Sequence, residues 1–145
     1  MRINTRFPMA VHALSVIALN KDEDKPSTSE LIAKSVGTNP VVIRRLISQL
    51  KSAGLVTTQP GVAGARLAKE PETITLLEIY RAVQTSEDNM LFDLHPNPSQ
   101  KCWVGKNIHS ALSGPLVEAQ TALEKTLDEY TLAAIADEIL KKVQQ

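Results

Sequence analysis

Two adjacent arginines, Arg44 and Arg45, lie in the stretch "NPVVIRRLISQLK" (39–51), just after Val41 and Val42. A guanidinium can bond two acceptors at once, on a guanine edge or on a phosphate, and a branched apolar side chain can meet a thymine methyl. Such residues suit the reading of a nucleic-acid groove better than the making or breaking of bonds. The other group with chemistry of its own is Cys102, the single cysteine, with His95 and His109 as the imidazoles nearby. Three roles are open to it: a small apolar filler, a redox-sensing thiol whose ionisation Lys101 and Lys106 favour, or a metal or cluster ligand. The sequence holds no Ser-His-Asp set, no phosphate-binding glycine loop and no paired-cysteine zinc spacing, so an enzyme is not expected.

Arginines can face a groove only if the helix carrying them buries its other side. Asn39 has the chemistry of a helix cap, Pro40 suits the first position, and the helix should run to about Ala53 before Gly54. A preceding helix is expected from Ser27, which has capping-box spacing to Glu30, to Gly37. Ala33 supplies the small residue where two helices touch. Ile32 and Val36 face inward before the turn, and Ile43, Leu46, Ile47 and Leu50 after it. This is the helix-turn-helix pattern, with Thr38 where an apolar residue is commoner. The outward set is then Asn39, Pro40, Val41, Val42, Arg44, Arg45, Ser48, Gln49 and Lys51, with Lys51 placed for phosphate. Residues 55–68 read as two short strands joined by a loop with Pro60–Gly61 and Gly64, a wing with Gln59 and Arg66 near its tip. The alternative reading is a winged helix used as a protein-docking module, its arginines merely solvated.

Around this unit, a first helix is expected over Arg6–Asn20, with an apolar stripe through Phe7, Ala10, Val11, Leu14, Ile17 and Ala18 and a structural His12. Thr75 caps a fourth helix reaching Val83, and 85–103 reads as a loop. In the tail, Ile108, Leu112, Leu116, Ala119, Leu123 and Leu127 recur at steps close to a heptad seam. Gly114 and Pro115 are expected to kink that helix or start it anew. Thr131 caps a last helix ending near Val143, and Trp103 is a core or interface anchor.

The balance of charges says where a polyanion would sit. Sixteen basic and sixteen acidic residues cancel overall, yet residues 1–83 hold eleven Lys/Arg against seven Asp/Glu, and Glu30 is the only acid in 27–66. The chain has the size of one domain, and with aromatics at 3% its core must be aliphatic. No apolar run approaches the ~20 residues of a membrane helix. Pro8, His12 and the lack of a small-residue cleavage motif speak against a signal peptide, so a cytoplasmic protein without a membrane partner is expected. One cysteine excludes an internal disulfide.

The "MRINTRFPMAVHAL" opening, "ELIAKSVGTNPVVIRRLISQLKSAGLV", the wing followed by "ITLLEIYRAV", and the helix ending in "LDEYTLAAI" together resemble the Rrf2 family of bacterial winged-helix transcriptional regulators. The family includes the iron–sulfur cluster regulator, the nitric-oxide-sensing repressor and the cysteine metabolism repressor. The resemblance implies a mostly helical α+β fold and a homodimer, more often a repressor, reading a palindromic site in double-stranded DNA. It implies a winged domain over 1–84, a sensor-type loop over 85–103 and a helical dimerisation region over 104–145. The DNA-contacting candidates are Arg2, Arg6, Ser29, Thr38, Asn39, Pro40, Val41, Val42, Arg44, Arg45, Gln49, Lys51, Gln59 and Arg66. The dimer candidates are Trp103, Ile108, Leu112, Leu116, Leu123 and Leu127. Two departures stand out. Ala65 and Arg66 replace the second glycine and the aromatic usual in the wing, and the loop has Cys102 where cluster-binding members place three cysteines. With one thiolate per chain no iron–sulfur cofactor is expected.

Overall fold

In the computed structural model, described for residues 5–20, 22, 24–84 and 91–145, each apolar stripe of the sequence becomes an element whose ends are set by local hydrogen bonding. Helix α1 spans Arg6–Leu19 and buries Ala10, Ala13, Leu14 and Ile17. Helix α2 spans Ser29–Val36 and stops at Gly37, whose left-handed φ of 85° lets both its own N–H and that of Thr38 bond the Ala33 carbonyl. Helix α3 spans Pro40–Ser52 behind the Asn39 cap, whose side chain accepts the Val42 N–H at 3.1 Å.

One cap differs from expectation. Thr28, not Ser27, caps α2, accepting the Leu31 N–H at 3.1 Å. Ser27 is buried instead: its hydroxyl meets the Asn20 amide at 3.1 Å, and its carbonyl accepts the Ala65 N–H at 2.9 Å. The backbone at 27 is thus taken by the wing, and the capping role passes to the next hydroxyl along the chain.

Strands β1 (Val56–Gln59) and β2 (Val62–Leu67) form an antiparallel hairpin around the Pro60–Gly61 turn, and the Ser27–Ala65 bridge gives it a third edge. Gly64 lies within β2 rather than in the turn, at φ 107°, with its backbone pressed on Pro26: a Cβ there would fall 2.7 Å from the Pro26 Cβ. A short 3-10 turn, Pro71–Thr73, leads to α4, Leu76–Ala82. Thr75 and Glu78 close a reciprocal capping box at its start.

The described part of the 85–103 segment, 91–102, holds no helix or strand, and 85–90 lie outside the described residues. Helix α5 then runs unbroken from Trp103 to Asp128, with Gly114 and Pro115 inside it, so the expected restart does not occur. A proline forfeits one backbone bond, and the turns on either side carry the helix past it. Helix α6, Leu132–Val143, starts behind Thr131, whose side chain accepts the Ala134 N–H at 3.1 Å. Ile74 and Leu132 pair across this junction: the Leu132 N–H meets the Ile74 carbonyl at 2.8 Å and the Leu76 N–H the Tyr130 carbonyl at 2.9 Å. The starts of α4 and α6 are therefore held side by side.

The core is aliphatic. Leu14, Ile32, Ile43, Leu46, Leu50, Leu55, Ile74, Ile79 and Leu132 are almost fully buried, each contributing about 1.5–3 kcal/mol of transfer free energy. It joins α1, α2, α3, the wing and the start of α4, and Leu132 brings α6 back against it. What this body fixes is the orientation of α3.

Candidate nucleic-acid interface

Ile43, Leu46, Ile47 and Leu50 anchor α3, so positions 41, 44, 45 and 48 turn to solvent. Val41 is 52% exposed at the N-terminal end of the helix, and Arg44 and Arg45 follow one turn later. Arg45 makes no hydrogen bond or ion pair among the described residues. Arg44 does: its Nη2 donates to Glu30 Oε1 at 2.8 Å, across from the first turn of α2. The pair is exposed on both sides and faces a groove between α2, α3 and the wing.

The remaining candidates divide by location. Asn39 is exposed and its side-chain oxygen is engaged as the cap, leaving its amide N–H groups outward. Pro40, Thr38 and Ser29 are half-buried around the turn and at the start of α2. Val42 packs partly on the core rather than projecting outward, because it lies one helical turn before the buried Leu46, on the same face. Gln49 is likewise half-buried, and its Oε1 is shielded from solvent without a hydrogen-bond partner. It lines a groove with Arg6, Val42, Arg45, Leu46 and Ser48, which brings the first turn of α1 beside α3. Arg2 lies outside the described residues.

Lys51 extends α3 toward the wing and donates to Thr58 Oγ1 at 2.6 Å. Gln59 is exposed opposite Val62, next to the wing's turn. Arg66 is exposed but pairs in register with Thr57, so it stands toward the root of the wing and not at its tip. The reason is strand geometry: it lies four positions along β2 from Val62, about 13 Å of extended chain. Taken together, one face presents branched apolar groups, fork-shaped cations and backbone N–H groups of two helix starts. That combination can hydrogen-bond the acceptors of base edges and phosphates.

A second face is apolar. Among the residues of α5 only Gln120 is buried; its Oε1 accepts the Leu91 N–H at 2.7 Å and pins the preceding segment to the helix. Leu112, Leu116, Leu123 and Leu127 share its side of the helix and are half-buried, as is Ile108 at the edge of that face. Trp103 is 80% exposed, so it is no part of this chain's core, and Val104, Ala111, Pro115, Ala119 and Ala122 form an exposed strip beside the half-buried row.

Cys102 is exposed immediately before α5. The amides of Gly105, then Val104, directed at its sulfur from the first helical turn, hold the thiol below its usual range, although the sulfur does not close a capping hydrogen bond. His95 and His109 are stacked edge to face, ring centres 5.1 Å apart, and His109 Nε2 bonds the His95 carbonyl. An iron–sulfur cluster needs about four ligands, mostly thiolates. The chain has one cysteine, and no three His, Cys, Asp or Glu side chains gather into a metal-holding group among the described residues, so the donor set of the chain does not fit a cluster. No described helix is long and apolar enough to cross a membrane.

Two features escaped the sequence reading. The Glu30–Arg44 pair was signalled only by Glu30 being the lone acid of its stretch. The Gln120 junction was signalled by a polar residue in the middle of an apolar row.

Comparison with known proteins places these features in context. The Rrf2 family model, described as an iron-dependent transcriptional regulator, matches residues 3–138. YwnA of Bacillus subtilis, provisionally named an HTH-type transcriptional regulator, is 46% identical over 137 residues, covering 94% of this chain and 98% of that one. The HTH-type transcriptional regulator NsrR of Halalkalibacterium halodurans is 29% identical over 134 residues, 91% of this chain and 88% of the relative. A crystal structure provisionally described as a DNA-binding protein superposes with a TM-score of 0.73 at 42% identity, over 90% of this chain and 97% of the other. CymR of Bacillus subtilis, the global cysteine regulator, shares the fold with a TM-score of 0.67 at 20% identity, over 95% and 98% of the two chains.

Proposed function

Because the chain belongs to the Rrf2 family of DNA-binding transcriptional regulators, we propose that it acts as a homodimer that reads a palindromic operator through α3 and represses transcription there. The observation that carries this reading is the outward face of α3. Val41, Arg44 and Arg45 project from a helix whose opposite face is locked into the core, so their positions are fixed before any duplex arrives. In a recognition helix the first turns meet base edges. Val41 would meet a thymine methyl and Arg45 a guanine, while Lys51, the wing and Arg6 suit phosphates, with Arg2 a further candidate by its charge alone. Ser29, Thr38, Asn39 and Pro40 add polar and backbone groups around the turn, and Gln59 and Arg66 extend the surface along the wing.

Self-association is supported by the exposed strip of α5. A 26-residue helix with Trp103 and Val104 in water and a row of alanines beside its leucines has apolar surface that a second copy would cover. Two copies related by a twofold axis would present two α3 helices, which is what a palindromic site requires. Cys102, exposed and biased toward thiolate, fits a role in which oxidation at the start of α5 alters the spacing of the two winged units. The working place of such a protein is the cytoplasm.

Binding to duplexes selected from a random pool, followed by fluorescence anisotropy from about 50 to 200 mM salt, tests the reading. Six or more phosphate contacts per dimer reduce affinity by at least about a thousandfold over that range. A flat salt dependence, or capture of a protein partner in place of DNA, refutes it.

A further inference from the structure

Three cations of α3 are handled differently. Arg45 is without a partner among the described residues, Lys51 is tied to the wing through Thr58, and Arg44 is held by Glu30 at 2.8 Å. Resting on the DNA-binding reading above, we propose that Glu30 is a specificity-determining residue: it grips one edge of the Arg44 guanidinium, aims the rest of the fork at a base, and withholds its charge from phosphates.

The geometry supports each part of this. Glu30 sits in the first turn of α2, between the Thr28 cap and the buried Ile32, so its backbone position is fixed. Arg44 stands between the buried Ile43 and Ile47 on a helix fixed to the same core. Two rigid helices therefore present the carboxylate and the guanidinium to each other. Only Nη2 is engaged, and a guanidinium has five N–H donors in a planar fork. The donors left over still match the paired acceptors of a guanine edge. A phosphate attracts chiefly the charge, and the charge is offset by Glu30. Because Glu30 is the only acid in residues 27–66, this offset falls on one arginine of α3 and spares Arg45 and Lys51. A staple for folding is a poor account of the pair. Both side chains are more than half exposed, and exposed ion pairs add little stability.

The test compares wild type and Glu30→Gln on two probes at matched salt: a duplex selected by the wild-type protein from a random pool, and a random-sequence duplex of the same length. Freeing one cation in each protomer makes the dimer's salt slope on random DNA steeper by about two, and raises affinity there roughly 25–100-fold near 0.1 M salt. Affinity for the selected duplex rises less, because the fork is no longer aimed, so the ratio of the two affinities falls. The same substitution in an Arg44→Ala background moves both affinities equally and leaves the ratio unchanged. Thermal unfolding of Glu30→Gln within a few degrees of wild type separates aiming from a structural role. A ratio within twofold of wild type, in a protein that itself discriminates the two duplexes, overturns the inference and leaves the DNA-binding reading standing. A wild-type protein that binds neither duplex overturns both.

Discussion

Gly64 and Gly37 invite a paired substitution whose outcomes differ for a structural reason. Both have positive φ, 107° and 85°, so an alanine at either meets backbone strain. At Gly37 a Cβ would find nothing within 4 Å, and only the strain remains, about 1 kcal/mol. At Gly64 the Cβ would lie 2.7 Å from the Pro26 Cβ and 2.9 Å from its backbone C and O atoms. Backbone cannot rotate aside as a long side chain can. Crowding of this kind adds about 1–3 kcal/mol to a strain of about 1–2, for a total of roughly 2–5 kcal/mol. For a chain of this length a kcal/mol moves Tm by about 3–4 °C. Gly37→Ala should therefore lower Tm by about 3–4 °C and Gly64→Ala by about 6–20 °C in thermal unfolding followed by circular dichroism. Amide exchange of the Ala65 N–H, which bonds the Ser27 carbonyl, should accelerate only in the second variant. Equal melting of the two variants would refute the close approach of wing and Pro26.

Three further outcomes follow from the same surfaces. Arg45→Ala should weaken binding to a selected duplex by about 1–3 kcal/mol and relax preference at one position, read by anisotropy on base-substituted duplexes; an equal loss on random DNA would reassign it to phosphate. Ala119→Glu, at an exposed position of α5, should convert dimers to monomers in sedimentation equilibrium without changing helix content; an unchanged mass would move the interface elsewhere. The Cys102 thiol is held low by helix amides, so its ionised form is favoured by folding, and that contribution is lost as pH falls through the folded-state value. Its alkylation rate should then titrate with a midpoint below the roughly 8.5 of an unperturbed thiol and return to it in denaturant, whereas equal midpoints would show that the amides do not act on the sulfur.

The helix-turn-helix was legible because its demands are local. A cap and proline at 39–40, a glycine at 37 and a period of three to four in the buried residues each leave a mark in a short window. The capping of α2 was misread by one residue because Ser27 and Thr28 are chemically alike, and only the pairing of Ser27 with Ala65, 38 positions away, decides between them. Arg66 was placed at the wing's tip because strand register is not written in a hairpin this short; the irregularity between Thr57 and Gln59 sets it. The Gly114–Pro115 pair allows a kink or a restart because propensity counts the proline; the helix does not restart, since 26 residues outlast one lost bond. Contacts such as Glu30 with Arg44 join residues 14 apart through a turn, and no periodicity encodes them.

The paired backbone of Ile74–Leu76 and Tyr130–Leu132 ties the start of α4 to the start of α6 immediately after α5 ends. A rod whose far end is welded to a crossbar cannot tilt without dragging what the crossbar carries. Any lengthening of the three-residue link 129–131 would put the Thr75–Thr131 bridge out of register with the end of α5, pulling Leu132 and Ala136 from their seats. That link is a spacer of fixed gauge: apart from the Thr131 cap its composition can drift, while its length cannot.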